Sequence, residues 1–198
     1  MDKALTALHN AERKLRRAVD EQRSGLYCLR LWSKFVRLRD GRCLRCNATK
    51  NLTAHHICRK SFLKVAQFQT GNGITLCRKC HHIFHEGFNG VPDMLLPMDA
   101  QGGEKIEEIC ALYGILSEDA SIRGNINDNF YYISDSVLAI FKKLQGFSPD
   151  VKFPGERIQQ AYLIWRQSPN ELLNAVFVAN GLIPRTDPIL PGITIITG

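Results

Sequence analysis

The sequence predicts an α+β fold. A small strand–strand–helix unit is preceded by basic helices and followed by a mostly α-helical extension. Three observations point there. Four cysteines fall in two Cys-x-x-Cys knuckles, Cys43/Cys46 and Cys77/Cys80, and the 30 residues between them, Asn47 to Leu76, must hold structure of their own. Apolar residues recur at helical spacing through residues 2–23, 26–39 and much of 104–167. Inside the knuckle insert the apolar runs are short and bounded by turn residues, as strands are.

Taken in order, residues 2–23 predict a helix with Leu5, Leu8, Ala11, Leu15, Ala18 and Val19 as its apolar stripe and Arg13, Lys14, Arg16, Arg17 and Arg23 around it. Ser24-Gly25 breaks it. Residues 26–39 predict a second basic helix carrying Leu29, Trp32, Phe35, Val36 and Leu38. Trp32 offers either burial or stacking on a nucleic-acid base, and burial is the expectation. Asp40-Gly41 turns into the first knuckle, where Asn47 suits a left-handed turn. Leu52 to Ile57 predicts one strand, Gly71-Asn72-Gly73 a turn, and Ile74 to Leu76 a second strand. Arg78 to Glu86 predicts a helix, which places His81 and His85 on one face at i, i+4, with His82 a solvated neighbour. For His55 and His56 to serve one site, the first strand must end or bulge there, since neighbours on a regular strand face opposite ways.

Gly87 to Gly103 is rich in Gly and Pro and reads as a boundary. Beyond it, residues 104–115 predict a helix, 117–130 a polar loop, 131–145 a helix, Ser148 to Pro154 a loop and 155–167 a helix. A further helix is expected from the cap Ser168-Pro169 with Glu171 to Asn180-Gly181. The tail, Ile193 to Thr197, reads as an edge strand or a docking peptide. The domain plan is therefore a basic N-terminal helix over 1–25, a metal-bearing domain over 26–90, a linker over 91–103 and a helical domain over 104–198.

Four thiols at this spacing suit one tetrahedral zinc ion, the alternative being reduced or disulfide-bonded cysteines. Cys28, Cys58 and Cys110 are left over as core or incidental residues. Five of the six histidines lie between residues 55 and 85, which points to a second metal or proton-transfer site beside the first. Glu86 is the only acidic residue between 41 and 90, which argues against a two-metal carboxylate site.

These residues resemble the HNH endonuclease family, the ββα-metal nuclease fold. The likeness runs through His55-His56, Asn72, His81 and His85. It is carried also by Asn72-Gly-Ile-Thr-Leu-Cys-Arg-Lys-Cys-His81 and by Phe35-Val-Arg-Leu-Arg-Asp-Gly-Arg-Cys43, and it covers roughly residues 26–90. The resemblance implies that His56 is the general base, that His55 and His81 bind a catalytic Mg²⁺ or Mn²⁺, and that His85 is a further ligand or a phosphate contact. It implies that Asn72 braces the loop carrying His56, and that Cys43, Cys46, Cys77 and Cys80 hold a structural Zn²⁺. It implies hydrolysis of DNA to 3′-hydroxyl and 5′-phosphate ends, in a phage or bacterial setting. Cys58 and Asn47 depart from the usual pattern without removing a part the chemistry needs.

Charge agrees with a polyanion partner. Residues 1–90 hold 18 Lys and Arg against 6 Asp and Glu, a net +12, whereas residues 91–198 hold 8 against 13, a net −5. Arg59, Lys60, Lys64, Arg78 and Lys79 are the candidate phosphate contacts, with solvated surface as the alternative for each. No base-reading helix is evident, so low or short-site specificity is expected. Two other readings stay open: a non-catalytic zinc module binding nucleic acid, and a nuclease subunit active only with a protein docked on 104–198. A homodimer is expected where both strands are cut together. No run of 18 apolar residues is present, and Met1 to Leu5 lacks a signal-peptide core, so the expected setting is the reducing cytoplasm.

Overall fold

The computed structural model describes residues 3–85, 106–124, 129–167, 184–190 and 193–196. It combines six helices with two small antiparallel sheets among those residues, an α+β fold. The expected linker over 91–103, Glu86 at the end of the predicted third helix, and the helix expected from Ser168 lie outside the described residues.

Helix α1 spans Lys3–Asp20 and buries Leu8, Leu15 and Ala18 of its predicted stripe. Helix α2, Gly25–Asp40, starts on Ser24, whose hydroxyl accepts from the Tyr27 N–H, and stops at Gly41, which takes a left-handed φ of 69°. Strand β1, Leu52–His56, pairs antiparallel with β2, Gly73–Cys77, so that His55 faces Ile74 and His56 faces Gly73 across the ladder. Helix α3, Arg78–Phe84, follows directly from β2 and ends two residues short of the expected Glu86. The β1–β2 pair lies between α2 and α3.

Helix α4 spans Ile106–Ile122 and runs well past the expected stop at 115. The polar stretch from Ser117 to Ser121 stays helical because its acid is used internally: Asp119 is buried, accepts a hydrogen bond from Arg42 at 2.6 Å and forms an ion pair with Arg123, four residues on, at 2.9 Å. Helix α5 is Asp135–Leu144, not 131–145; Ser134 caps it, and residues 131–133 are irregular backbone outside the helix. There the Gly71 N–H donates to Tyr132 O and the Tyr132 N–H to Thr70 Oγ1. Helix α6, Arg157–Arg166, opens with a capping box of Glu156 and Gln159. In the tail, β4 (Ile193–Ile196) pairs with β3 (Pro184–Leu190), a strand the sequence reading did not contain, with irregular register around Pro188.

One buried cluster runs from Leu8 through Trp32, Phe35, Ile74 and Leu76 to Tyr113, Phe141 and Trp165. The cysteine-knuckle segment and helices α4 to α6 therefore share a core. No described helix is long and apolar enough to cross a membrane.

Candidate metal centre and histidine site

The four knuckle cysteines come together. The sulfurs of Cys43, Cys46, Cys77 and Cys80 lie within 4.8 Å of one another, and Cys46 Sγ and Cys77 Sγ are 3.6 Å apart. Two sulfurs bound at 2.3 Å to a tetrahedral ion would stand about 3.8 Å apart, so the cluster has metal-binding dimensions. The first knuckle is shaped by its backbone: Asn47 N–H donates to Cys43 O, Cys43 N–H donates to Ala48 O, and Asn47 takes the left-handed φ of 60° that its residue type tolerates. Arg42 Nε donates to Asn47 Oδ1. The second knuckle spans the β2–α3 junction. The Cys80 N–H, donating to the Cys77 sulfur, is the main cause that draws the Cys77 thiol down to about 7, whereas burial and then the neighbouring sulfurs push Cys80 up to about 12. Four thiolates need a cation to coexist here. Cys28, Cys58 and Cys110 lie outside the cluster, as expected.

A second cluster joins His55, His81 and His85, whose nearest ring nitrogens also fall within 4.8 Å. Their ring centroids are 4.6–5.1 Å apart. His55 comes from β1, His81 from α3 and His85 from its C-cap. Burial, then the neighbouring imidazoles of His81, His85 and His56, lowers His55 to about 3. Burial also lowers His81 and His85, reinforced at His85 by the Arg59 charge. All three are therefore neutral at physiological pH, the form in which imidazole ligates a metal. His82 is exposed and outside the cluster.

The His pair splits across the strand. His55 faces α3, while His56, the last residue of β1, faces α2, where its ring stacks on Trp32. Its Nε2 lies 2.9 Å from the carbonyl of Gln67. A carbonyl only accepts, so Nε2 carries the proton and Nδ1 is the ring's free acceptor. Burial holds His56 below its ordinary range, partly offset by the Gln67 bond.

Asn72 is fully buried and ties the loop after His56 back on itself. Its Oδ1 accepts from the Cys58 N–H at 2.8 Å, and its Nδ2 donates to Cys58 O and Ala66 O. The glycines beside it serve close approach rather than positive φ. A Cβ on Gly71 would lie 2.5 Å from Tyr131 O, and one on Gly73 would lie 2.5 Å from Trp32 Cζ2.

Arg78 and Lys79 are exposed and line a groove of about 960 Å³ with Lys50, Asn51, His81 and His85. Arg59 sits close enough to His85 to shift it, and Lys60 close enough to His56. Lys64 lies elsewhere, in a cleft against α1 with Glu12, Arg16 and Arg157.

The sequence reading did not contain four participants. Tyr113 of α4 reaches Asn72 Oδ1 at 3.4 Å, and Gln67 supplies only a backbone carbonyl. Arg39 and Asp40 form a buried ion pair at 2.7 Å. Arg39 also donates to the carbonyls of Thr70, Gly73 and Phe130 and lies over the Tyr131 ring. Arg39 and Asp40 stand in the sequence only within the Phe35–Cys43 stretch and the turn at Asp40-Gly41, with no pairing marked. No family model, curated protein or solved structure matches this chain.

Proposed function

We propose that the chain is a metal-dependent endonuclease of the HNH, ββα-metal type, which hydrolyses DNA phosphodiester bonds with water activated by His56. One observation carries the reading: a neutral three-imidazole donor set, His55, His81 and His85, lies on one side of β1, and the strand ends on its other side in a histidine whose Nε2 is committed to a carbonyl and whose Nδ1 is left to take a proton. The four-cysteine cluster next to it serves as a structural zinc site.

In this mechanism His56 Nδ1 accepts a proton from water as the water oxygen bonds to phosphorus, and the P–O3′ bond breaks. The departing 3′ oxygen leaves as a hydroxyl after taking a proton from solvent, and the phosphate stays on the 5′ end. Burial keeps His56 neutral before the step, and the carbonyl bond keeps its ring oriented. Asn72 holds residues 58–66 in place, and with them the loop that presents Gln67. A divalent cation bound at the histidine triad supplies Lewis-acid stabilisation of the phosphate charge. The donor set bears on its identity: imidazoles suit Zn²⁺, Ni²⁺ or Fe²⁺ better than Mg²⁺ or Mn²⁺, which prefer oxygen. Arg78, Lys79 and Lys50 in the groove, with Arg59 by His85, suit a phosphate backbone. Such contacts position the duplex without reading sequence, which fits low or short-site specificity. A second copy for double-strand cutting and a protein docked on 104–198 remain part of the same reading.

The test is plasmid cleavage by the purified chain with Mg²⁺, Mn²⁺, Ni²⁺ or Zn²⁺, beside His56→Ala. Cleavage is expected from the wild type and a loss of at least about a hundredfold from the variant. Equal cleavage by both removes His56 from the base role. Binding without turnover in every metal favours the non-catalytic zinc module.

A further inference from the structure

The proposed base carries a second ring against it, and the geometry points to Trp32 as a positioning residue for His56. This assignment rests on the nuclease reading for its catalytic meaning, though not for its geometry. The indole centroid lies 3.8 Å from the imidazole centroid, with the ring planes 5° apart. Such a stack fixes the imidazole plane but still permits a half-turn flip about Cβ–Cγ, which would exchange the positions of Nε2 and Cε1. The Gln67 carbonyl selects one of the two states by accepting from Nε2 at 2.9 Å.

Trp32 also helps to set where that carbonyl sits. Its Nε1–H donates to Gln69 O at 3.1 Å, two residues along the same loop. The stacked pair thus sends both of its ring N–H groups into one loop, and the loop in turn fixes the flip of His56. Gln69 is held from the other side as well, accepting from the Ser134 N–H and donating to Ser134 Oγ. The opposite strand is cleared for the indole: Gly73 faces His56, and a Cβ there would meet Trp32 Cζ2 at 2.5 Å and Val36 Cγ2 at 2.7 Å. Trp32 is 1 % exposed, so plain core packing is the competing account. Packing alone predicts no effect on which ring nitrogen is protonated.

The experiment uses the full chain, zinc-loaded and ¹⁵N-labelled at histidine, with long-range ¹H–¹⁵N spectra of the His56 ring and steady-state cleavage over a range of DNA concentrations. The wild type should show one tautomer with the proton on Nε2. Trp32→Leu should show mixed tautomers and a kcat about tenfold lower from the lost orientation of the base, with KM and zinc content unchanged. Trp32→Phe keeps a ring but loses the Gln69 bond, and should shift both readouts in the same direction by less, about threefold in kcat. A single Nε2–H tautomer with wild-type kcat, in whichever variant folds, overturns the assignment. If the wild type itself does not cleave, the nuclease reading fails separately. The tautomer spectra then decide the role of Trp32 alone, with mixed tautomers in the variants upholding it and an unchanged tautomer refuting it.

Discussion

Replacing Arg39 with Met should remove about 3–5 kcal/mol of stability. The side chain is buried, and its guanidinium serves four groups at once. It grips the Asp40 carboxylate through Nε at 2.7 Å and Nη2 at 3.3 Å, and it donates to Thr70 O at 2.7 Å, Gly73 O at 2.6 Å and Phe130 O at 3.1 Å. Met replaces the aliphatic stem but offers no donor. Asp40 would keep the Thr75 N–H at 2.7 Å while losing its buried counter-charge. In a chain of 198 residues each kcal/mol moves the melting midpoint by about 2–4 °C, so the midpoint should fall by roughly 10 °C. Thr70 and Gly73 bracket Asn72, so the same change should slow cleavage by loosening the turn on which the His56 loop depends. The assay is calorimetric melting of zinc-loaded Arg39→Met, Asp40→Asn and the double variant. The double variant should be less damaged than the two singles combined, because it no longer buries an uncompensated charge. An Arg39→Met midpoint within about 2 °C of wild type would refute the reasoning, since it would mean that the clamp adds nothing net.

Two more predictions concern the metal centres. Cys43→Ser should lose the cysteine-site metal and unfold the chain. Structural zinc contributes about 10–16 kcal/mol to small zinc-binding peptides, as much as or more than the about 5–15 kcal/mol that holds a typical domain. Elemental analysis with circular dichroism checks this, and a folded, metal-free Cys43→Ser protein would defeat it. Acid should destabilise the protein through His55. Its folded ring is held at about 3, against an ordinary 6.5, by burial first and then by its imidazole neighbours. The unfolded chain therefore binds a proton near pH 6.5 that the folded chain refuses until near pH 3. This contribution is complete above 6.5 and is lost as pH falls toward 3, amounting to about 2 kcal/mol at pH 5. Melting from pH 7.5 to 5, without added divalent cation, should show a steeper decline in wild type than in His55→Gln; parallel curves would contradict it.

Local spacing carried most of the site into the sequence. A Cys-x-x-Cys turn brings two sulfurs together whatever the rest of the chain does, and i, i+4 on a helix puts His81 beside His85 by geometry alone. Strand alternation already required His55 and His56 to part unless the strand stopped, and the strand stops at His56 with the two rings on opposite sides. The helices α1 and α2 were legible from their stripes and caps. The polar stretch after residue 116 has the composition of a loop in the sequence, and it is helical because Asp119 pairs with Arg42, 77 residues away. The groups that hold the site are of that second kind. Trp32 meets His56 across 24 positions, Arg39 meets Phe130 across 91 and Tyr113 meets Asn72 across 41. Several of the partners are backbone carbonyls, at Gln67, Gln69, Thr70 and Gly73, which every residue type carries and no side-chain pattern can mark. The sequence by itself determined which ligands exist and which pairs stand close along the chain. The tertiary structure decided which way each ring faces and what holds it there, because those depend on carbonyls and buried charges that meet only when distant segments pack.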